Sequence, residues 1–142
     1  MTDDPVQVLE TERARLQALL AVIEEEQRAL LTLEVDKLED IAERKRLLVN
    51  AGESGMRRLQ ACLPQQSDAK LLAARDRYVA TARKALARNN QNAELVARQR
   101  PLIEQKLNLL AMASGRGGGT FYGADGQVAV DAFSRKSIAA SA

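Results

Sequence analysis

Leu9, Leu16, Ile23 and Leu30 recur at intervals of seven, with Leu20 between them. Seven residues make almost two turns of an α-helix, so these side chains stack along one face; in a strand an odd spacing would throw them onto alternate faces. The interval therefore predicts a helix with a coiled-coil seam. Its start is marked by Asp3 or Asp4 as cap and by Pro5 in the first turn, where a missing N–H costs nothing. The segment Thr32-Leu33-Glu34-Val35-Asp36 interrupts the pattern with two β-branched residues and an aspartate suited to a cap, and Glu39 follows three residues later as in a capping box.

From Asp36 a second helix carries Leu38, Ile41, Lys45, Leu48, Gly52, Gly55, Leu59 and Cys62 at steps of three and four, and it stops at Pro64. A mid-helix glycine costs about 1 kcal/mol relative to alanine. Gly52 and Gly55 therefore predict either a bend or the close approach of another backbone. After a turn at 64–68, Ser67 or Asp68 can cap a third pattern that runs to about residue 113. One of its rows is Leu71, Tyr78, Ala85 and Asn92; another is Ala82, Asn89, Val96, Ile103 and Leu110; Leu95, Leu102 and Leu109 widen the face. At 1.5 Å per residue this rod reaches about 70 Å, against about 40 Å for each of the others. Pro101 lies inside it and predicts a kink or a division there.

The fold class is all-α: an antiparallel up-down bundle or coiled coil of three long helices, at about 4–31, 36–63 and 68–113, the third the longest. Two segments are expected, a bundle over residues 1–114 and a Gly-rich aromatic tail over 115–142. Short connections make successive helices antiparallel neighbours, so the expected packing sets helices one and three on helix two. If helix three starts level with the end of helix two, the stretch from Pro101 onward has no partner. Its Leu102, Ile103, Leu107, Leu109 and Leu110 then await a second copy, the tail or a client, since soluble monomers rarely expose such an area.

Charge is uneven. Residues 1–31 sum to −4, residues 32–66 to zero, residues 67–114 to +5 and the tail to +1. A nucleic-acid binder could own the basic third segment, but an acidic first helix offers those cations a partner within the chain, and no nucleic-acid partner is expected. The absence of histidine removes Ser-His-Asp, Cys-His and His-based metal chemistry. The carboxylates Glu24-Glu25-Glu26 and Glu39-Asp40 read as a solvated face. The lone Cys62 reads as a small core hydrophobe. No catalytic, cofactor or metal site is expected, and the chain reads as a non-enzyme. The longest apolar run, Ala18 to Ile23, is far too short to insert in a membrane, and the start lacks the features of a secretory signal, so the expected location is the cytoplasm.

Six of the eight glycines fall in GRGGGTFYGADG, residues 115–126, and three of the four aromatics lie at Phe121, Tyr122 and Phe133. The spacing fits neither a phosphate loop nor an EF-hand, and a single Arg-Gly-Gly is not a repeat of the RNA-binding kind. A glycine hinge leading to an aromatic pair reads as a short recognition motif, or as an anchor that docks on the chain's own leucines.

The stretch LTLEVDKLEDIAERKRLL, residues 31–48, with Leu38, Ile41, Lys45 and Leu48 on one face, resembles the second-helix entry of the FlgN family of flagellar export chaperones. NNQNAELVARQRPLIEQKLNLL, residues 89–110, is similar to that family's third helix, and TFYGADGQ, residues 120–127, to its terminal Tyr-Gly-x-x-Gly signature. The resemblance implies a chaperone that holds the hook–filament junction proteins FlgK and FlgL and brings them to the membrane-associated export apparatus. It makes Val96, Ile103, Leu107 and Leu110 the client-facing candidates and Tyr122 the contact to the gate protein FlhA. The Gly117-Gly118-Gly119 run and Phe121 are not part of the pattern and leave open which aromatic is the anchor. Asn89 and Asn92 match it and read physically as polar residues that fix register in a seam. A structural homo-oligomeric coiled coil, and a basic-helix regulator that binds nucleic acid, are the competing readings; the chaperone reading expects a monomer or weak dimer.

Overall fold

The structure is a computed structural model that describes residues 3–114. The tail, with Phe121 and Tyr122, lies outside the described residues. The fold is an all-α bundle of three helices: α1 is Pro5–Leu31, α2 is Leu38–Cys62 and α3 is Ala69–Ala113, with a single 3-10 turn at Val35–Lys37 leading into α2.

Local chemistry explains the two clean starts. The Asp4 carboxylate accepts from the Val6 N–H at 3.1 Å and Pro5 opens α1. The Asp68 carboxylate accepts from the Leu71 N–H at 2.8 Å and opens α3. Each satisfies one of the donors a helix start leaves free. The expected cap at Asp36 does not form. Asp36 sits within the 3-10 turn, and α2 begins with no side-chain cap, its entry shaped by the Leu38 N–H bonding to the Val35 carbonyl.

Between α1 and that turn the chain reverses through a Schellman arrangement. Glu34 N–H donates to Ala29 O at 2.9 Å and Leu33 N–H to Leu30 O at 3.4 Å, which places Leu33 at φ 53°. A left-handed leucine costs about 1–2 kcal/mol. Leu33 offsets this by packing on the core cluster that contains Leu30, Val35, Val96 and Ile103.

The packing order differs from the expected one. The shared helix is α1, not α2: both other helices pack on α1, and the backbones of α2 and α3 nowhere come within 8 Å at Cα. The reason is a second buried row on α1. Besides Leu9, Leu16, Ile23 and Leu30, it buries Val8, Glu12, Leu19, Val22, Glu26 and Ala29, so it presents two seams. Glu12 and Glu26 face Gly55 and Lys45 of the antiparallel α2. Leu9, Leu16 and Ile23 pack with Leu71, Ala74 and Ala85 of α3, which runs parallel to α1.

That parallel start shortens the overhang. Leu71 lies level with Leu9, and the α1–α2 corner covers α3 as far as Ile103 and the half-buried Leu107. Only about the last two turns of α3 project beyond it. Pro101 is exposed, and α3 runs through it without division.

At Gly52 and Gly55 what comes close is a pair of side chains and not the expected backbone. A Cβ on Gly55 would overlap the Glu12 carboxylate, and one on Gly52 would stand 2.5 Å from the Arg15 guanidinium. Cys62 is only half-buried, its Sγ 3.5 Å from the Leu59 carbonyl, so it belongs to the helix end rather than to the core.

Candidate functional site

Two features stand out among the described residues: a buried polar knot that joins all three helices, and an exposed apolar stripe on α3 beside it.

The knot centres on Lys45 of α2. Its ammonium donates to both carboxylate oxygens of Glu26 on α1, at 3.1 and 3.2 Å, and to Asn89 Oδ1 on α3 at 2.6 Å. Asn92 then donates its amide to Glu26 Oε1 and to the Ile23 carbonyl, both at 2.8 Å. Glu26, Lys45, Asn89 and Asn92 are all buried. Burial pushes the Lys45 ammonium below its ordinary 10.5, and the Glu26 carboxylate opposes that shift. The seam positions of Asn89 and Asn92 were readable from their rows. Glu26 was not: it is buried, contrary to the solvated face expected of Glu24-Glu25-Glu26. The signal was its place three residues after Ile23 and four before Leu30, on the apolar face.

A second, partly buried ion pair lies toward the other end. Arg15 donates to Glu12 at 2.7 Å and to the Leu48 carbonyl at 2.8 Å, in the space that Gly52 and Gly55 leave open.

Of the client-facing candidates, Val96 and Ile103 are 0% and 2% exposed and belong to the largest core cluster. They hold the fold and offer no surface here. Leu107 is half-buried and Leu110 exposed. The surface lies one helical row away, on Leu102 (52% exposed), Leu109 (59%) and Met112, with Leu31 at the end of α1. Leu95, Leu102 and Leu109 repeat at seven and form one stripe, in which Leu95 is half-buried against the largest core cluster and Leu102 and Leu109 are exposed. Its upper end opens into a shallow groove between α1 and α3, lined by Gln27, Leu31, Gln91, Glu94, Leu95, Arg98 and Gln99.

The cations of α3 are largely unused by the bundle. Arg77 pairs with Glu10 of α1 at 2.6 Å, and Lys106 donates to the Leu33 carbonyl at 2.6 Å. Lys84, Arg88 and Arg98 form no ion pair with a described residue. Among the described residues no cluster of acidic, histidine or cysteine side chains could hold a metal ion, and no helix is long and apolar enough to cross a membrane.

A family model described as FlgN protein matches residues 1–129. The chain belongs to the FlgN family. No curated protein and no solved structure matches it. As a FlgN-family member it is a flagellar export chaperone. The family match takes in the whole bundle and reaches past Phe121 and Tyr122, so it covers the stripe and the aromatic pair together. In this FlgN chain the polar knot lies directly beneath the groove: Asn92 and Val96 point inward while Gln91 and Leu95, one position earlier, line its floor.

Proposed function

We infer that this chain acts in the cytoplasm as a holding chaperone for hook–filament junction proteins of the FlgK and FlgL type. A helical segment of the client lies along Leu95, Leu102, Leu109 and Met112 of α3, with Leu31 of α1 as the side wall. The observation that carries this reading is the separation of two neighbouring rows: Val96 and Ile103 close the core, while Leu102 and Leu109 stand in solvent with nothing from α1 or α2 over them. A client helix would bury that row as a fourth member of the bundle, the helix-in-groove mode of recognition.

The aromatic pair supplies the second half of the reading. Phe121 and Tyr122 follow the helix after a glycine-rich stretch, and the resemblance of TFYGADGQ to the family's terminal signature supports Tyr122 as the contact to the gate protein FlhA. Holding and delivery then rest on different parts of the chain, and the loaded chaperone docks transiently at the export apparatus.

Calorimetry with a FlgK C-terminal helical fragment tests it, using the wild-type chain, Leu102→Asp and Tyr122→Ala. The expected result is binding that is lost in Leu102→Asp and retained in Tyr122→Ala. No binding by the wild type rejects this client. The homo-oligomeric reading uses the same leucines, and a stable dimer that Leu102→Asp dissolves would favour it over the chaperone reading.

A further inference from the structure

Apolar stripes alone do not choose a partner; the charges beside them do, through encounter rate and through rejection of like-charged competitors. Along the border of the stripe on α3 cations outnumber acids. Arg98 lines the groove directly, Arg88 lies seven residues before Leu95, and Arg28 is exposed in the last turn of α1, three residues before Leu31. None of the three pairs with an acid among the described residues. Lys106, at the lower end, already donates to the Leu33 carbonyl and adds positive charge there. The acids on this side are Glu24 and Glu94, also without an ion pair, so cations outnumber them.

The acidic α1 does not neutralise this border. Apart from Glu24, its carboxylates are engaged elsewhere: Glu12 and Glu26 inside the bundle, Glu10 with Arg77 and Glu25 with Arg44. The expected pairing of an acidic first helix with a basic third one therefore exists at Glu10–Arg77 and not along the groove. An arginine left unpaired beside exposed leucines is suited to a carboxylate on an incoming helix, because the guanidinium presents fixed donors to it.

We propose that the stripe takes an amphipathic partner helix whose apolar row is flanked by acidic side chains, and that Arg98, with Arg88 and Arg28, selects it by those flanks. This rests on the chaperone reading above and specifies the chemistry of the client segment. From Leu95 to Met112 the stripe extends about 26 Å at 1.5 Å per residue, which matches a partner helix of about 17 residues. Four to five turns of such a helix place its apolar residues on Leu95, Leu102 and Leu109 in turn, with acidic neighbours toward Arg98.

The test uses the full chain and three synthetic helices that share one leucine heptad row and differ only in flanks: glutamate, glutamine or lysine. The glutamate helix is expected to bind about tenfold more tightly than the lysine helix at low salt, with the difference shrinking as salt rises. Arg98→Glu should reverse the order of the two charged helices, and Leu102→Asp should remove binding of all three while leaving the helical circular dichroism intact. Equal affinity for the three helices overturns the acidic-flank inference yet leaves the chaperone reading standing. Failure of all three together with the FlgK fragment rejects the chaperone reading itself. A wild-type dimer that Leu102→Asp dissociates would make a second copy the occupant. A uniform gain in affinity for all three helices on Phe121→Ala, Tyr122→Ala and Phe133→Ala combined would make the chain's own tail the occupant. Either result overturns the proposal.

Discussion

Lys45 of α2 and Glu26 of α1 meet in the interior with the ammonium nitrogen 3.1 and 3.2 Å from the two carboxylate oxygens, and Asn89 of α3 completes the contact at 2.6 Å. This cluster links α2 and α3 through side chains, although their backbones nowhere come within 8 Å at Cα. Removing a single partner leaves a buried charge without its counter-ion, which costs about 3–5 kcal/mol, whereas replacing both charges by apolar groups is often close to neutral. Lys45→Met should therefore lower the urea-unfolding free energy by several kcal/mol, and Lys45→Met with Glu26→Leu should recover much of it. A double variant as unstable as the single one would show that the amides of Asn89 and Asn92, not the charges, dominate the knot.

The same lysine gives the bundle an alkaline signature. Its folded-state pKa is lowered by burial from 10.5, so the unfolded chain binds this proton more tightly than the folded one. Stability contributed by Lys45 then rises with pH between the lowered folded value and the ordinary one. Tyr78 titrates in the opposite sense: burial raises its pKa above 10.0, so its contribution falls as pH rises through the same region. Subtracting a Lys45→Met series cancels the Tyr78 contribution. The difference, wild type minus variant, should increase as pH rises toward the ordinary lysine value of 10.5. A decrease would mean that attraction to Glu26 outweighs burial.

Gly52 and Gly55 should respond differently to alanine although both stand in the same helix. Alanine gains about 1 kcal/mol of helix propensity at either site. At Gly55 the new methyl displaces the Glu12 carboxylate, which is buried and has no solvent to move into. At Gly52 it meets the end of the partly exposed Arg15 side chain, which can swing outward. Gly55→Ala is expected to destabilise by about 2 kcal/mol, as overpacking does, and Gly52→Ala to stay within about 1 kcal/mol of the parent. Thermal melts of the two variants decide it, and equal melting temperatures would remove Glu12 as the cause.

At Leu33 the backbone and the side chain have opposite preferences. The φ of 53° favours glycine, while the packing on the largest core cluster favours leucine. Alanine keeps the strain and loses the packing. Leu33→Gly should therefore be more stable than Leu33→Ala by about 1 kcal/mol, an inversion of the usual order of the two residues. Finding alanine the more stable of the pair would show that the turn relaxes out of the left-handed region.

Much of this architecture was legible because its signals are local. Asp4 with Pro5, and Asp68, are caps whose effect reaches only two or three residues. The heptad of Leu9 to Leu30 reports one face of one helix. The central position of α1 was hidden because its second seam is interrupted by Glu12 and Glu26, and a carboxylate in a seam reads as solvent-facing until its partner on another helix is known. Leu33 was hidden for a similar reason: nothing about leucine announces a left-handed turn. Of the residues expected to face a client, Val96 and Ile103 are buried, and the exposed apolar row lies one position earlier, at Leu102; sequence periodicity shows that two apolar rows exist but not which of them α1 covers.

That one-position offset makes the sharpest separation of folding from binding. Ile103 is 2% exposed within the core cluster and Leu102 is 52% exposed on the stripe. An aspartate at 103 buries an unpaired charge and should cost several kcal/mol, enough to unfold a domain of ordinary stability. An aspartate at 102 faces water and should change stability by no more than about 0.5 kcal/mol, the usual range for a surface position. Urea unfolding of the two variants, followed by client titration of whichever remains folded, reads both effects. The expected pattern is Ile103→Asp unfolded, and Leu102→Asp folded but without client affinity. If Leu102→Asp instead unfolds, the stripe is part of the chain's own core and the binding surface must lie elsewhere; if it folds and still binds, the client contacts α3 through Leu109, Leu110 and Met112 alone.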